Sequence, residues 1–489
     1  MSEAPLWTVD DLARAAGGRA ERVTGAPITG LSIDTRTLAP GDLFVALKDQ
    51  RDGHAFVTKA FEARAAAALV AEAYEEQPGD GPLIRVRDTL AALEAIGRAA
   101  RARLAPAARV IAVTGSAGKT GTKDMLRAAL SRIGPTHGAD KSFNNHWGVP
   151  LTLARMPAGT RFGVFEIGMN HAGEITPLAG MVRPHIAIVT TVEPVHLAQF
   201  PSVEAIAEAK AEIFTGLVPG GVAVINRDNL HFETLRRHAE AAGARIVSFG
   251  QDPRADVRPK ALEISSEGTA IEIELGGHEI RYRVAVPGVH IARNALAVAA
   301  AIHEAGADAG EALAALATLP PPPGRGSRSE LPFNGGHILL IDESYNANPA
   351  SMRAALSVLG TVPRSAYPRR IAVLGDMLEL GPDEERLHVG LKEAVDAAGT
   401  DLVFASGPNM QHLFAALAPE KRGGWAPRSE EVGEQLFARL APGDVIMVKG
   451  SNGSRMGPVA DALRRKLSSF AGRDTSGDLA LGGKEKDAV

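Results

Sequence analysis

RVIAVTGSAGKT, residues Arg109 to Thr120, joins an apolar strand to a glycine turn that ends in Gly118-Lys119-Thr120. That order of strand, turn and helix start builds a phosphate-binding loop. Glycine lets the backbone N–H groups of Gly115, Ser116, Ala117 and Gly118 curl around phosphate oxygens. The helix expected from Gly121 to Leu130 adds the positive end of its dipole. In this reading Thr114 opens the loop, Lys119 neutralises the β and γ phosphates of a nucleotide, and the Thr120 hydroxyl ligates Mg²⁺. Val113 stands where the complete motif has glycine, so the match is incomplete. A plain strand-turn-helix is the bland alternative.

Outward from this loop, the segments VIAVTG, FGVFEIG, HIAIVTTV, GGVAVIN and RIVSFG alternate with helical stretches, the α/β pattern of a largely parallel sheet. AIEIEL and HEIRYRVAV flank Gly276-Gly277 and predict a hairpin added to that domain. The run Pro320 to Pro323 reads as a linker. Beyond it a second series, HILLIDES, RRIAVLGDM, LVFASG and DVIMVKGS, predicts a Rossmann-like fold. Upstream, the strand-like pieces LSIDT and GDLFVAL, separated by Pro40-Gly41, sit among short helices, and a Pro- and Ala-rich seam runs from Leu104 to Ala108. The expected fold is therefore α/β in three domains: a smaller N-terminal α/β domain over 1–106, a central P-loop ATPase-like parallel sheet over 107–323 and a C-terminal Rossmann-like domain over 324–471. The polar, Gly-rich end, 472–489, is expected to be a disordered tail.

A chain of 489 residues suits three domains. The net charge of −4, with both signs interspersed, gives no reason to expect nucleic acid or an anionic membrane as partner. With no cysteine, disulfides, thiolate zinc sites and cysteine nucleophiles are excluded. The N-terminus carries acids and no long apolar core, and no run of about 18 apolar residues follows. A cytoplasmic protein without membrane insertion, acting as a monomer, is the expectation.

Several residues outside the loop carry chemistry. Glu166 ends the strand FGVFEIGMN, where an acid can hold Mg²⁺ opposite the phosphates; a solvated loop acid is the alternative. His196 in VEPVHLAQF, taken alone, reads more readily as an ordinary loop histidine. Lys210 falls on the apolar face that Val203, Ile206, Ala207, Ile213 and Phe214 define by 3.6-residue periodicity. Either it snorkels, or it is buried with a partner or a modification, since an unpaired buried ammonium is costly. Arg325 in PPGRGS sits in a glycine-flanked loop suited to reaching a transferring phosphate. Asp342 and Asn346 in IDESYNANP, and Lys449 in IMVKGS, end strands, where α/β sheets place ligand contacts; each reads also as a solvated loop residue.

Taken in order, these segments resemble the Mur ligase family, the ATP-dependent amide-forming enzymes of peptidoglycan precursor synthesis, from about Leu31 to about Met456. SFNNHWGVPLTL, EIGMNHAGEI, DESYNANP and LGDMLELG followed by His388 favour the branch that adds D-alanyl-D-alanine (D-Ala-D-Ala) to a UDP-N-acetylmuramoyl tripeptide. The resemblance implies that Thr114 to Thr120 wrap the ATP phosphates, that Glu166 and His196 serve the metal, and that Arg325 touches the γ-phosphate. It implies that Lys210 bears a CO₂-derived carbamate near Mg²⁺, and that Asn294 lies by the adenine and Asp342 by the ribose. Asn144 and Asn145 would face the muramoyl peptide, and Thr35, Arg36 and His54 the uridine. Substrate contacts are further expected of Asn346 and Lys449.

Three departures from the family pattern stand out. Ile291 follows His290 where a first asparagine is usual, Thr35 replaces a common serine, and Gly121 replaces a second hydroxyl residue. Alternatives to the dipeptide ligase are a sibling ligase or folylpolyglutamate-type synthetase adding one amino acid, and a nucleotide-dependent switch protein. Neither the third residue of the tripeptide nor the general base is legible in the sequence.

Overall fold

Strand Arg109–Thr114 lies inside a six-stranded sheet, and its residues Val110, Ile111, Ala112 and Val113 are fully buried, as a strand covered on both faces requires. The computed structural model describes residues 5–22, 25–140, 142–195, 197–265 and 267–468. His196 and the 472–489 tail lie outside them. The strand order is Arg245–Phe249, Val222–Asn226, Ile186–Val189, Arg109–Thr114, Phe162–Glu166, Thr136–Gly138, and all pairs are parallel.

Side chains alternate across this sheet. Ile111 and Val113 join the core formed with helices Lys119–Ser131 and Val289–Glu304. Val110 and Ala112 face helices Gly148–Ala154, Ile175–Val182 and Val203–Ala211. The chain thus leaves Arg109–Thr114 towards one face and leaves both neighbouring strands towards the other. Such a reversal opens a crevice at the carboxyl ends of the strands.

The hairpin expected at Gly276-Gly277 is present. Strands Gly268–Leu275 and His278–Val284 pair antiparallel around two left-handed glycines, φ +59° and +78°, which a tight two-residue turn needs. With Pro259–Ser265 they form a three-stranded sheet over the alanine-rich helix Val289–Glu304.

Five strands build the N-terminal sheet, in the order Arg19–Glu21, Leu83–Val86, Ala67–Ala71, Asp42–Val45, Gly30–Ser32. This domain docks through helix Thr89–Ala102 onto Gly148–Ala154, where a Cβ at Gly97 would lie 3.1 Å from the Pro150 carbonyl. The Trp7 indole N–H donates to the Ala154 carbonyl at 2.8 Å, and the Arg103 guanidinium stacks 3.7 Å from the Trp7 ring centroid.

The C-terminal sheet runs Ser327–Phe333, Gly336–Glu343, Asp444–Lys449, Arg369–Gly375, Leu402–Ser406, Arg422–Ala426. Only its first pair is antiparallel. Apolar clusters cover both faces, as the Rossmann-like expectation requires. Among the described residues no helix is long and apolar enough to cross a membrane.

Candidate active site

A cleft of about 1120 Å³ runs from the phosphate loop to the carboxyl ends of Gly336–Glu343 and Asp444–Lys449. The loop is held by the switch-point neighbour strand. Ser116 Oγ donates to the Glu193 carbonyl and accepts from its N–H, and Thr190 Oγ1 donates to the Ala117 carbonyl at 2.6 Å. Two glycines are obligatory here. Gly115 (φ +150°) would place a Cβ 1.9 Å from Thr190 Oγ1, and Gly118 (φ +82°) one 2.6 Å from Asn294 Nδ2. Gly118 caps helix Lys119–Ser131 without a side chain, so its first N–H groups point to the cleft for an anion. Lys119 Nζ donates to the Gly115 carbonyl at 2.6 Å. Thr120 Oγ1 lies 3.0 Å from Ser142 Oγ.

Glu166 lines the cleft with the loop, whereas Lys210 does not; the two are 3% and 2% exposed. Glu166 Oε1 accepts from Asn144 Nδ2 at 2.7 Å, and Oε2 is buried with no partner among the described residues. At 2% exposure the Lys210 side chain does not snorkel, and it makes no hydrogen bond or ion pair among the described residues. Burial, and then the nearby Lys119, hold it well below the ordinary lysine range. Lys119 is itself lowered by burial and by Arg325, against the pull of Glu166. Lys119 thus has the half-satisfied carboxylate of Glu166 and the buried amine of Lys210 as neighbours. The orphaned Oε2 and the Thr120 hydroxyl are hard oxygen donors of the kind Mg²⁺ takes. Among the described residues no three His, Asp or Glu groups are placed to hold a metal, so a cation here would complete its shell with phosphate oxygens and water.

The C-terminal domain supplies the facing wall. The Arg325 guanidinium stacks 4.0 Å from the Tyr345 ring centroid and lines the cleft. Lys449 Nζ, buried, donates to the Asn346 carbonyl at 3.0 Å and lies 3.6 Å from Glu343 Oε2. Burial lowers Lys449 and raises Glu343. His290 on the central domain is pushed down to about 4 by burial, and secondarily by Lys449 across the cleft.

Not every expected residue reaches the cleft. Asp342 does not line it: Oδ1 accepts from the Ser344 N–H and hydroxyl, and Oδ2 from Arg464 at 2.6 Å. The next residue, Glu343, does. Strand alternation explains the exchange, because adjacent side chains leave on opposite faces, and no reading of IDES alone selects between two acids. Asn144 and Asn145 both line the cleft, but Asn145 Oδ1 accepts from Trp147 N–H and Gly148 N–H at the start of helix Gly148–Ala154. Thr35, Arg36 and His54 follow parallel strands of the N-terminal sheet, outside the cleft. Arg36 is exposed and paired with Asp34, while His54 Nε2 accepts from the Ala71 N–H at 2.9 Å. His388, quoted for the resemblance, is fully buried and pins the Met377 N–H through Nε2. Sequence reasoning misses Ser142, Thr190 and Glu193 as site residues; only Ser142 lies in a segment that carries a signal, as the first residue of SFNN.

The Mur ligase middle domain pattern matches residues 113–302, and the pattern "Mur ligase, glutamate ligase domain" matches 328–452. The chain belongs to the Mur ligase family. It is 36% identical over 446 residues to the UDP-N-acetylmuramoyl-tripeptide--D-alanyl-D-alanine ligase of Escherichia coli (strain K12), covering 90% of this chain and 95% of that one. The protein of the same name from Bacillus subtilis (strain 168) is 34% identical, over 89% of this chain and 93% of its own. Among solved Mur ligase structures, MurF from Acinetobacter baumannii superimposes with a TM-score of 0.81 at 28% identity, covering 94% of this chain and all of that chain.

Proposed function

We propose that this Mur ligase joins D-Ala-D-Ala to a UDP-N-acetylmuramoyl tripeptide at the expense of ATP, for peptidoglycan precursors. The observation that carries the reading is the cleft itself. A phosphate loop and Glu166 share that cleft with Arg325, Glu343 and Lys449 of another domain, with buried Lys210 close to Lys119, in a chain 36% identical over nine-tenths of its length to a ligase of that name.

The chemistry follows from the weakness of a carboxylate as an acylating agent at neutral pH. The terminal carboxylate of the tripeptide attacks the γ-phosphorus of ATP, the bond to the β-phosphate oxygen breaks, and ADP leaves an acyl phosphate. Lys119 and Arg325 spread the charge that develops on the transferring group. The amine of D-Ala-D-Ala then attacks the carbonyl, phosphate leaves with the bonding pair, and the amine proton passes to solvent or phosphate. Mg²⁺, when bound, would be held by Glu166 Oε2 and the Thr120 hydroxyl and would supply further charge stabilisation to the phosphates. The resemblance would add His196 to the metal's ligands, a residue outside the described ones.

Lys210 enters as a carbamate. Burial and Lys119 favour its neutral amine, the form that adds CO₂ and releases one proton. The product is an anion beside Lys119 and the cation site, so repulsion becomes attraction. Glu343 takes the ribose contact expected of Asp342, and Asn294, packed on Gly118, stays on the nucleotide side. Residues 1–106 would hold the uridine end through Thr35, Arg36 and His54, 107–323 the ATP, and 324–471, with Asn346 and Lys449, the incoming dipeptide.

Phosphate release measured over a panel of UDP-muramoyl peptides and amine acceptors tests the reading. With a UDP-muramoyl tripeptide and ATP saturating, kcat/KM for D-Ala-D-Ala should exceed that for D-alanine, L-alanine or L-glutamate by up to ~10⁴-fold, because a site built for a peptide N–H and carbonyl leaves buried groups unpaired with a single amino acid. Equal use of a single amino acid would replace the dipeptide ligase by a sibling activity. Phosphate release indifferent to any acceptor would point to a nucleotide switch.

A further inference from the structure

The two oxygens of Glu166 have different fates, and one neighbour decides which. Asn144 Nδ2 donates to Oε1 at 2.7 Å while Oε2 stays buried and, among the described residues, unpartnered. The clasp is double, since the Gly168 N–H, two residues past Glu166, donates to the Asn144 carbonyl at 2.8 Å. Gly168 is small for this contact: a Cβ there would lie 3.0 Å from Asn144 Cγ. The segment bearing Asn144 is tied to the phosphate helix as well. Fully buried Lys123 donates to the Ala139 carbonyl at 2.7 Å, and Ser142 meets Thr120. The last torsion of a glutamate is broad and roughly two-fold, so an unheld carboxylate swings between orientations. One oxygen fixed by a donor leaves the other aimed in one direction.

We propose that Asn144 is a positioning residue that locks the Glu166 carboxylate so that Oε2 faces the cation accompanying the nucleotide phosphates, and is not primarily a contact for the muramoyl peptide. The inference rests on the reading of Glu166 as a cation ligand. Groups that orient a metal ligand typically hold ~10–100-fold in metal affinity. A peptide contact would leave metal affinity untouched.

The experiment is an EPR titration of Mn²⁺ into the full-length enzyme saturated with ADP, with no peptide substrate present. Asn144→Ala should weaken Mn²⁺ binding by at least ~10-fold, with ADP affinity in EDTA unchanged and the protein still folded. In a Glu166→Gln background, the same substitution should change Mn²⁺ affinity by less than about twofold, because its effect passes through the carboxylate. Gly168→Ala, which leaves Asn144 in place and crowds its amide, should weaken Mn²⁺ in the same direction and serves if Asn144→Ala does not fold. Asn144→Ala with wild-type Mn²⁺ affinity and only a raised KM for the UDP-peptide overturns the positioning role while Glu166→Gln still loses metal. Wild-type Mn²⁺ affinity in Glu166→Gln overturns the cation reading and this inference together.

Discussion

At the carboxyl end of the central sheet, Glu166 keeps one buried oxygen unpaired and Lys210 is buried without a partner among the described residues. At the carboxyl end of the C-terminal sheet, Asp342 has both oxygens engaged by Ser344 and Arg464. Both ends border the same cleft or its immediate backing. Buried charge without a partner is costly, so a fold retains it where a ligand or modification completes it. Paired buried charge is complete in the protein alone and reads first as architecture. The difference sorts Glu166 from Asp342, two acids that the sequence places alike at strand ends.

The widest separation between the two ends comes from Lys210→Met, which should reduce turnover to background. The same change should raise the stability of the protein free of nucleotide, metal and bicarbonate, on the order of 1–3 kcal/mol, because an unpaired ammonium leaves the core. The pH dependence has a fixed sign. The folded-state pKa of unmodified Lys210 lies below its unfolded value, so the unfolded chain binds more protons between the two, and stability rises with pH across that window. The penalty is full below the folded value and vanishes above the ordinary lysine range. Urea denaturation of wild type and Lys210→Met at several pH values should show the gap between them narrowing as pH rises. Activity of the wild type should fall in bicarbonate-free buffer at acidic pH, and ¹³C NMR of the metal-bound enzyme should show the carbamate. An active Lys210→Met, or one no more stable than wild type, would break the comparison.

Lys119→Ala comes next. A preorganised donor to a transferring group is worth ~10²–10³-fold in turnover, roughly 3–4 kcal/mol. The fold should persist, because among the described residues Lys119 bonds only its own loop carbonyl at Gly115. Phosphate release and a melting curve on one preparation decide it, and near wild-type turnover would remove the phosphate-loop assignment.

The opposite outcome is expected at the other sheet. Arg464→Leu leaves Asp342 Oδ2 without its cation. Breaking a fully buried pair costs ~3–5 kcal/mol. The Arg464 side chain is 30% exposed, so about 2 kcal/mol is expected after solvent screening. Urea midpoints should drop accordingly while the KM for ATP stays within about twofold. A large rise in that KM with unchanged stability would mean that the Asp342 network is functional after all.

Legibility in the sequence follows the same division. RVIAVTGSAGKT and the apolar runs around it are unambiguous because a strand buried on both faces needs no alternation, and a glycine turn before Lys-Thr must end it. Gly276-Gly277 is equally plain, since only left-handed residues close that hairpin. Strands Ala67–Ala71 and Leu83–Val86 were not singled out: AALVA has the composition of a helix, and its pairing to Asp42–Val45 supplies the missing preference. Lys210 is visible as an anomaly on an apolar face, but its nearness to Lys119 joins a helix start to a helix end 91 positions away. Asn144 as a holder of Glu166, and Thr190 as a clamp on Ala117, depend on contacts between loops, which carry no period.

The finest test separates two adjacent acids. Glu343 lines the cleft beside Lys449, whereas Asp342 points away into Ser344 and Arg464. A hydrogen bond from a ligand hydroxyl to a charged acceptor is worth about 1.5 kcal/mol or somewhat more, close to tenfold in affinity. Glu343→Gln should therefore raise the KM for ATP about tenfold, with kcat falling less. Asp342→Asn keeps an acceptor for Ser344 and a weaker one for Arg464, so its effect should be a loss of about 1 kcal/mol in stability with the KM for ATP unchanged. Steady-state kinetics and urea titration of both variants, run side by side, read the two quantities independently. If Asp342→Asn raises the KM and Glu343→Gln does not, the ribose contact belongs to the residue whose oxygens are already engaged. The Arg464 pair must then open when nucleotide binds, and the contrast between an unfinished and a finished sheet end would no longer predict which residues meet the ligand.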